Sequence, residues 1–179
     1  MTTIALSDEQ LARYRDEGWV ALGRILDDDE VAELRDEERR CRPSVGYGAK
    51  EDSSLLVSVQ LAHRSEPVRR LATTGRHLGA VTQILGPDVC LTHNQFLNKL
   101  PDTGGVHNDI PMHQDNGYGR LDPPDDVTVW VALVDTTPDN GCLHVVPGSH
   151  RGGLLEHGRA AVNPALREAA GGDNAVAVP

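Results

Sequence analysis

The distribution of apolar and polar residues changes near residue 87 of the chain. Before that point, apolar residues are scattered among charged ones, in segments that begin with residues able to cap a helix. Ser7 and Gln10 have the spacing of a capping box, in which each side chain bonds the backbone N–H of the other residue. Gly18 lies where this helix would end, because glycine readily adopts the backbone conformation of a helix C-terminus. The pattern predicts a first helix between Ser7 and Gly18.

Three more helices are predicted in the first 86 residues. Asp27 and Glu30 repeat the capping box ahead of EVAELRDEERR, where the acidic run also supplies favourable charge at a helix N-terminus. The SEP stretch at 65–67 opens another helix, and RHLGAVTQILG predicts one more that ends at Gly86. We therefore expect residues 1–86 to be mainly helical.

Beyond Gly86 the chain changes to short β-rich stretches separated by turns. DVCLTHNQFLNKL is rich in strand-forming residues and runs into PDTGG, and VTVWVALVD predicts an apolar strand. TTPDNG predicts a turn into a further strand, CLHVV, which PGSH ends. Residues 1–179 are expected to form a single domain, with helical support over 1–86 and a mainly β sandwich or barrel over 87–179.

Composition excludes several classes of function. The formal net charge is -10 and the pI about 5.1, which disfavours binding to a phosphate backbone. The longest mostly apolar run, Val127 to Val134, is far shorter than the ~20 residues that a membrane helix requires. The cysteines are three in number and widely spaced, so they indicate no disulfide framework. We expect a soluble, cytoplasmic protein that binds neither nucleic acid nor membranes.

The candidate chemistry lies in MHQDNGY, where His113 and Asp115 are two residues apart. In an extended segment, residues i and i+2 project from the same face, so both side chains could reach one ion while Gln114 points away. An imidazole and a carboxylate are two of the three ligands of the facial triad that holds non-haem Fe(II) in oxygenases. The spacing alone is weak support, because His107 and Asp109 repeat it in a loop where a solvated tip is the simpler interpretation.

In combination, three stretches resemble the phytanoyl-CoA dioxygenase-like family of Fe(II)/2-oxoglutarate-dependent oxygenases. They are HNQFLNKLPDTGG, MHQDNGY and VWVALVDTTPDNGCLHVVPGSHRG, in the order and spacing of the family. The resemblance is strong over residues 88–153 and weaker towards the N-terminus. It implies a double-stranded β-helix, a jelly-roll (cupin-like) barrel with helices supporting one sheet, and oxidation of a small-molecule substrate with Fe(II), 2-oxoglutarate and O2.

The same resemblance implies roles for five residues. His113 and Asp115 match the first two iron ligands. Gln95 and Trp130 fall where the family contacts 2-oxoglutarate, and Lys99 belongs to the same NK signature. An amide or an ammonium can donate to a carboxylate, and an indole can form a pocket wall. The alternatives are a core position for Trp130 and a solvated surface position for Lys99.

The remaining histidines have simpler interpretations. The resemblance implies that His150, in PGSH, is a structural hydrogen-bonding residue. His144 has either a satisfied interior position or a surface one. No other histidine has a partner at metal-ligand spacing, a group that comprises His63, His77, His93 and His157. Cys142 is expected to be a small buried residue.

The family's third iron ligand and its 2-oxoglutarate-anchoring arginine are expected on strands that would follow Pro179. Neither Arg159 nor Arg167 occupies the arginine's position. We therefore expect a barrel without its C-terminal strands, with open edges that favour self-association. Two classes of function follow from this expectation: an oxygenase that hydroxylates or otherwise oxidises a small organic or acyl substrate, or a truncated, non-catalytic fragment or binding module.

Overall fold

The computed structural model describes residues 3–42, 55–101, 110, 112–119, 121–155 and 175–178. These residues form two compact units. The first unit contains residues 3–5, 23–42, 55–82 and 86–101, and the second contains residues 6–22, 83–85, 110, 112–119, 121–155 and 175–178. The pair His107 and Asp109 lies outside the described residues, as do His157, Arg159 and Arg167.

Four helices confirm the positions predicted from the capping patterns. They are α1 (Asp8–Glu17), α2 (Asp28–Cys41), α3 (Glu66–Thr74) and α4 (Leu78–Leu85). Both predicted capping boxes are formed, Ser7 with Gln10 and Asp27 with Glu30. Gly18 follows α1 with a φ of 83°, the left-handed conformation in which glycine is favoured.

The first unit is built around α2, α3 and the β-strand that precedes α3. Its buried apolar residues come from each of these elements and from the turns beside them, and they include Ile25, Leu26, Leu34, Leu56, Leu61 and Val68. The Ser65 hydroxyl caps α3, and Gly86 ends α4 as predicted. None of the described helices is long and apolar enough to cross a membrane.

Two strands of the first unit form an antiparallel sheet. β1 (Leu55–Val59) pairs with β2 (Gln95–Lys99), with Val59 opposite Gln95 and Leu55 opposite Lys99. Leu56 and Ser58 of β1 are buried, so one face of the sheet packs into the core. Since side chains alternate along a strand, Gln95 and Lys99 share the opposite face with Val59, which is 41% exposed. The strand predicted for DVCLTHNQFLNKL is thus confirmed only over its second half.

The second unit contains a smaller antiparallel sheet, in which β3 (Leu143–Val145) pairs with β4 (Val176–Val178). A short helix, α5 (Asn116–Gly119), follows the His113–Asp115 segment. A 3-10 turn over Pro138–Asn140 precedes β3, and another over Ser149–Gly152 follows it. The turn at TTPDNG, the strand at CLHVV and the break at PGSH are confirmed.

The strand predicted for VTVWVALVD is wrong for the structure as described. Residues 127–134 belong to no strand, although their exposure alternates residue by residue as in extended chain. Trp130 is 43% exposed and Val134 is 56% exposed. An apolar run favours a strand only where neighbouring strands bond its backbone and cover its side chains, and composition alone does not supply those neighbours.

The architecture of the described residues is mixed helix and sheet, with two small antiparallel sheets and no closed barrel. The four helices predicted in the first half are confirmed, and the first half also contains the strand β1. The mainly β second half is confirmed only in part, since its described strands are three short ones and much of residues 121–142 is irregular.

Candidate functional site

His113 and Asp115 are brought together in the second unit. The Nε2 atom of His113 lies 3.1 Å from the Oδ1 atom of Asp115, and the two side chains are 32% and 53% exposed. The two residues lie in irregular chain that enters α5, not on the extended strand that their spacing suggested. The imidazole and the carboxylate still converge, at a turn that begins with Asp115.

A hydroxyl orients the second oxygen of this carboxylate. Thr128 donates from Oγ1 to Oδ2 of Asp115 at 2.5 Å. A hydrogen bond to an ionised carboxylate is stronger than one between neutral groups, so it favours one rotamer of Asp115. Sequence reasoning missed Thr128, although a single polar residue inside the apolar run VTVWVALV was a usable signal.

Gln114 holds the backbone between the two candidate ligands. Its Nε2 donates to the Gly153 carbonyl at 3.0 Å, and its Oε1 accepts from the Leu155 N–H at 2.8 Å. The amide thus makes both kinds of hydrogen bond with a single neighbouring stretch of backbone. This arrangement is consistent with the prediction that Gln114 points away from a shared ion. The two hydrogen bonds also hold the backbone between His113 and Asp115 in place.

The residues of α5 complete the surroundings of His113. The rings of Tyr118 and His113 are tilted against each other, with centroids 5.7 Å apart. Asn116 is buried, and its amide both accepts from and donates to the backbone of Leu121, at 2.6 and 3.1 Å. A buried amide that both donates and accepts holds Leu121 against the start of this short helix, and so helps to fix the chain position of Tyr118.

The donor atoms of this pair fit a non-haem iron. An imidazole nitrogen and a carboxylate oxygen are the two ligand types of the facial triad, and both side chains are accessible from solvent. Within the described residues, no set of three or more His, Cys, Asp or Glu side chains could hold a metal ion. His113 and Asp115 are therefore two candidate ligands, and the described residues place no third His, Cys, Asp or Glu side chain beside them.

The predicted 2-oxoglutarate contacts lie elsewhere in the chain. Gln95 and Lys99 occupy one face of β2 in the first unit, the face opposite the core. Gln95 is exposed and Lys99 is half-buried. Trp130 belongs to the second unit, and an indole that is 43% exposed is not a core residue. Its alternative assignment to the core is therefore wrong for the structure as described.

His150 has the structural role that was expected of it. Its Nε2 lies 3.0 Å from the carbonyl oxygen of Arg15, and the N–H of Gly148 donates to the Glu17 carbonyl at 2.8 Å. The last carbonyls of a helix have no partner within the helix, so these contacts satisfy the C-terminus of α1. Arg151 adds an ion pair with Asp16 at 2.8 Å. The PGSH segment therefore anchors α1 within the second unit.

Comparison with known proteins identifies relatives of this chain. A model of the family described as phytanoyl-CoA dioxygenase (PhyH) matches residues 14–174. The peroxisomal phytanoyl-CoA dioxygenase of Bos taurus is 30% identical over 168 residues, which cover 85% of this chain and 50% of that protein. The L-proline trans-4-hydroxylase of Streptomyces griseoviridis is 31% identical, over 80% of this chain and 55% of that protein.

A third relative is the ectoine dioxygenase of Nocardia farcinica, 32% identical over 80% of this chain and 51% of that protein. The chain spans about half the length of the curated relatives it matches. No solved structure matches the chain.

Proposed function

Because the chain belongs to the phytanoyl-CoA dioxygenase (PhyH) family, we propose that it functions as an Fe(II)/2-oxoglutarate-dependent dioxygenase. Its reaction is the hydroxylation or another oxidation of a small organic or acyl substrate. The relatives are named for phytanoyl-CoA, L-proline and ectoine, which supports a small molecule as the substrate class. The observation that carries the proposal is the contact between His113 and Asp115.

The chain's own residues have distinct tasks in this proposal. His113 and Asp115 hold the iron, and Thr128 fixes the carboxylate rotamer. Gln95 and Lys99 donate to the carboxylates of 2-oxoglutarate, and Trp130 forms a wall beside it. When bound, the iron supplies the centre at which O2 reacts, and 2-oxoglutarate supplies electrons through its oxidative decarboxylation.

We further propose that residues 1–179 belong to one oxygenase domain with the double-stranded β-helix of the family. A single family match over residues 14–174 supports one domain, because it includes both the helical first half and the second half. The two short antiparallel sheets support the barrel, since antiparallel pairing is the basis of a jelly roll.

The test is anaerobic titration of the purified protein with Fe(II), together with an assay of 2-oxoglutarate decarboxylation. His113→Ala should weaken Fe(II) binding at least 100-fold, because removing a ligand costs more than the 10- to 100-fold typical of its supporting residues. The matched control is His107→Ala, which removes the histidine of the other His-x-Asp triplet and should leave Fe(II) affinity within about twofold.

Two results would contradict the proposal in different ways. Loss of Fe(II) binding in His107→Ala with retention in His113→Ala would overturn the assignment of the ligands. Tight Fe(II) binding without any consumption of 2-oxoglutarate would instead favour the non-catalytic binding module.

A further inference from the structure

A relay of polar side chains surrounds the start of β2 in the first unit. It consists of Gln60, His93, Asn94 and Gln95, which we call the amide–imidazole relay. Gln60 directly follows β1, and its backbone N–H donates to the Asn94 carbonyl at 2.7 Å. Its φ of 53° is the only positive φ among the described residues other than glycine. A non-glycine residue in this conformation is disfavoured, and such residues cluster at functional sites.

Two backbone groups fix the direction of the hydrogen bonds in the relay. The N–H of Ala62 donates to Oδ1 of Asn94 at 3.0 Å, so the Asn94 amide nitrogen must point the other way. That nitrogen donates to Oε1 of Gln60 at 3.2 Å. The Nε2 of Gln60 faces the Thr92 carbonyl, an obligatory acceptor, at 3.3 Å. Neither amide can be reversed without setting donor against donor or acceptor against acceptor.

The direction of the Gln60 amide determines the tautomer of His93. The Nε2 of Gln60, a donor, lies 3.4 Å from Nδ1 of His93, so Nδ1 accepts. A neutral imidazole has one donor and one acceptor nitrogen, and the proton is therefore on Nε2. That nitrogen lies 3.2 Å from Oε1 of Gln95, to which it donates.

The last member of the relay is thereby oriented. With its Oε1 occupied by His93, the Gln95 side chain directs its NH2 group away from the relay. Gln95 is exposed on the face of the β1–β2 sheet that is opposite the core. Position 95 consequently offers two N–H donors on this face, which is the pattern that recognises a carboxylate oxygen.

We propose that His93 is a positioning residue that holds the Gln95 amide with its NH2 group directed outward, so that Gln95 donates to a carboxylate of 2-oxoglutarate. This rests on the proposed function for the identity of the ligand. His93 itself does not contact 2-oxoglutarate and acts only through Gln95.

The test is a double-mutant cycle on the affinity of the Fe(II)-loaded protein for 2-oxoglutarate, measured anaerobically by calorimetry. Gln95→Ala and His93→Leu should each weaken binding about fivefold, as expected for the loss of one hydrogen bond. His93→Leu in the Gln95→Ala background should cause no further loss, because the two residues act as one unit. His93→Gln, which retains an N–H donor near the position of Nε2, should restore affinity to within about twofold.

His63 provides the matched control, since it is an exposed histidine outside the relay. His63→Leu should leave 2-oxoglutarate affinity unchanged. The positioning role would be overturned if His93→Leu lowered 2-oxoglutarate affinity equally in the unchanged protein and in Gln95→Ala. It would also be overturned if the single variant His93→Leu bound 2-oxoglutarate as tightly as the unchanged protein.

A second measurement separates this inference from the proposed function. Nitrogen-15 NMR of the His93 ring in the metal-free protein at about pH 8 should show an unprotonated Nδ1 and a protonated Nε2. In Gln60→Glu, a carboxylate faces Nδ1, and the proton should shift towards Nδ1. An Nδ1 proton in the unchanged protein would overturn the relay itself. A correct tautomer with no binding of 2-oxoglutarate would overturn the ligand and the proposed function, and would leave the relay intact.

Discussion

Two carboxylates in this chain are held in opposite ways. Glu37, on α2, has a side chain that is 9% exposed, and Arg40 donates to it from two guanidinium nitrogens at 2.8 and 2.5 Å. The Asp115 side chain is 53% exposed, and it contacts the hydroxyl of Thr128 and the imidazole of His113. The first carboxylate is neutralised by a permanent cation. The second is oriented by a hydroxyl and an imidazole, and about half of its side chain is exposed to solvent.

The pKa of Glu37 shows the effect of pairing a carboxylate with a guanidinium. The hydrogen bonds from Arg40, and then from Ser65, lower the pKa of Glu37 from 4.5 to about 2. Its neighbour Glu38 is held in the same manner by Arg42, and it also accepts from Asn98 of β2 at 2.7 Å. These contacts tie α2 to α3 and to the β1–β2 sheet. Glu37 therefore connects elements of the fold, whereas the half-exposed Asp115 beside an imidazole is the candidate for binding a ligand.

The largest expected effect is a loss of Fe(II) affinity when Asp115 is replaced, with no loss when Glu37 is replaced. Asp115→Ala should lower Fe(II) affinity at least 100-fold with little change in the free energy of unfolding, because the side chain is half exposed. Glu37→Gln should leave Fe(II) affinity unchanged. Anaerobic titration of both variants checks this prediction, and equal losses of affinity in the two would remove the distinction between binding and supporting carboxylates.

The next effect is on stability. Glu37→Gln should lower the free energy of unfolding at pH 7 by on the order of 2 kcal/mol, since the buried Glu37 side chain loses its charge-assisted hydrogen bonds from the exposed Arg40. Since its folded pKa is depressed, Glu37 stabilises the fold above pH 4.5, and this contribution is lost as the pH falls from about 4.5 to about 2. Chemical denaturation over that range checks both values.

A matched control lies on the same helix. Asp36 forms an ion pair with Arg39, but its side chain is 74% exposed. Asp36→Asn should change the free energy of unfolding by less than about 1 kcal/mol, as is usual for a surface pair. A loss as large as that of Glu37→Gln would show that helix charge, and not burial, determines the effect.

The sequence predicts those features that depend on neighbouring residues. Ser7 with Gln10 and Asp27 with Glu30 define helix starts because a capping box is closed within three residues. Features that need distant partners are not predictable in this way. The strand expected at 127–135 requires neighbouring strands. The relay joins Gln60 to His93, which are 33 residues apart in sequence and close only through the pairing of β1 with β2.

The same reasoning applies to the candidate site. The His-x-Asp spacing and the family resemblance predict His113 and Asp115 as candidate ligands, and the structure brings the two side chains into contact, because residues this close in sequence can converge locally. Thr128 is 13 residues from Asp115, and no local rule joins them. A supporting group such as Thr128 is therefore harder to predict from sequence than candidate ligands that lie close together in the chain.

The Thr128 hydroxyl allows the orientation of the Asp115 carboxylate to be tested separately from its proposed binding of the metal. Thr128→Val keeps the side-chain shape and removes the hydroxyl, so it should lower Fe(II) affinity about tenfold, at the low end for groups that orient a ligand. Thr128→Ser restores the hydroxyl and should recover most of that loss. Fe(II) titration of the pair, with circular dichroism to confirm folding, is the measurement, and equal affinities in Val and Ser variants would contradict the role of the hydroxyl.

The smallest expected effect is on the pH dependence of stability, and it comes from His77, a buried histidine of the first unit. His77 is 6% exposed, and in the part of the chain that is described its Nδ1 has no hydrogen-bond partner. It occupies the N-cap of α4, where the helix dipole disfavours a cation. Burial lowers the pKa of His77 below the ordinary value of 6.5. Protonation of this ring is therefore more favourable in the unfolded chain than in the folded one.

The sign of the pH dependence follows from that difference. Below pH 6.5 the unfolded chain takes up a proton at His77 that the folded chain does not, so stability falls as the pH drops from 6.5 towards the lower folded pKa. His77→Gln should remove part of the slope of unfolding free energy against pH just below pH 6.5, because the histidine that only the unfolded chain protonates is then absent. Denaturant unfolding at several pH values checks this. An unchanged slope of unfolding free energy against pH in His77→Gln would assign the pH dependence in this range to other groups. The effect of Glu37 below pH 4.5 would remain as a separate test of the supporting carboxylate.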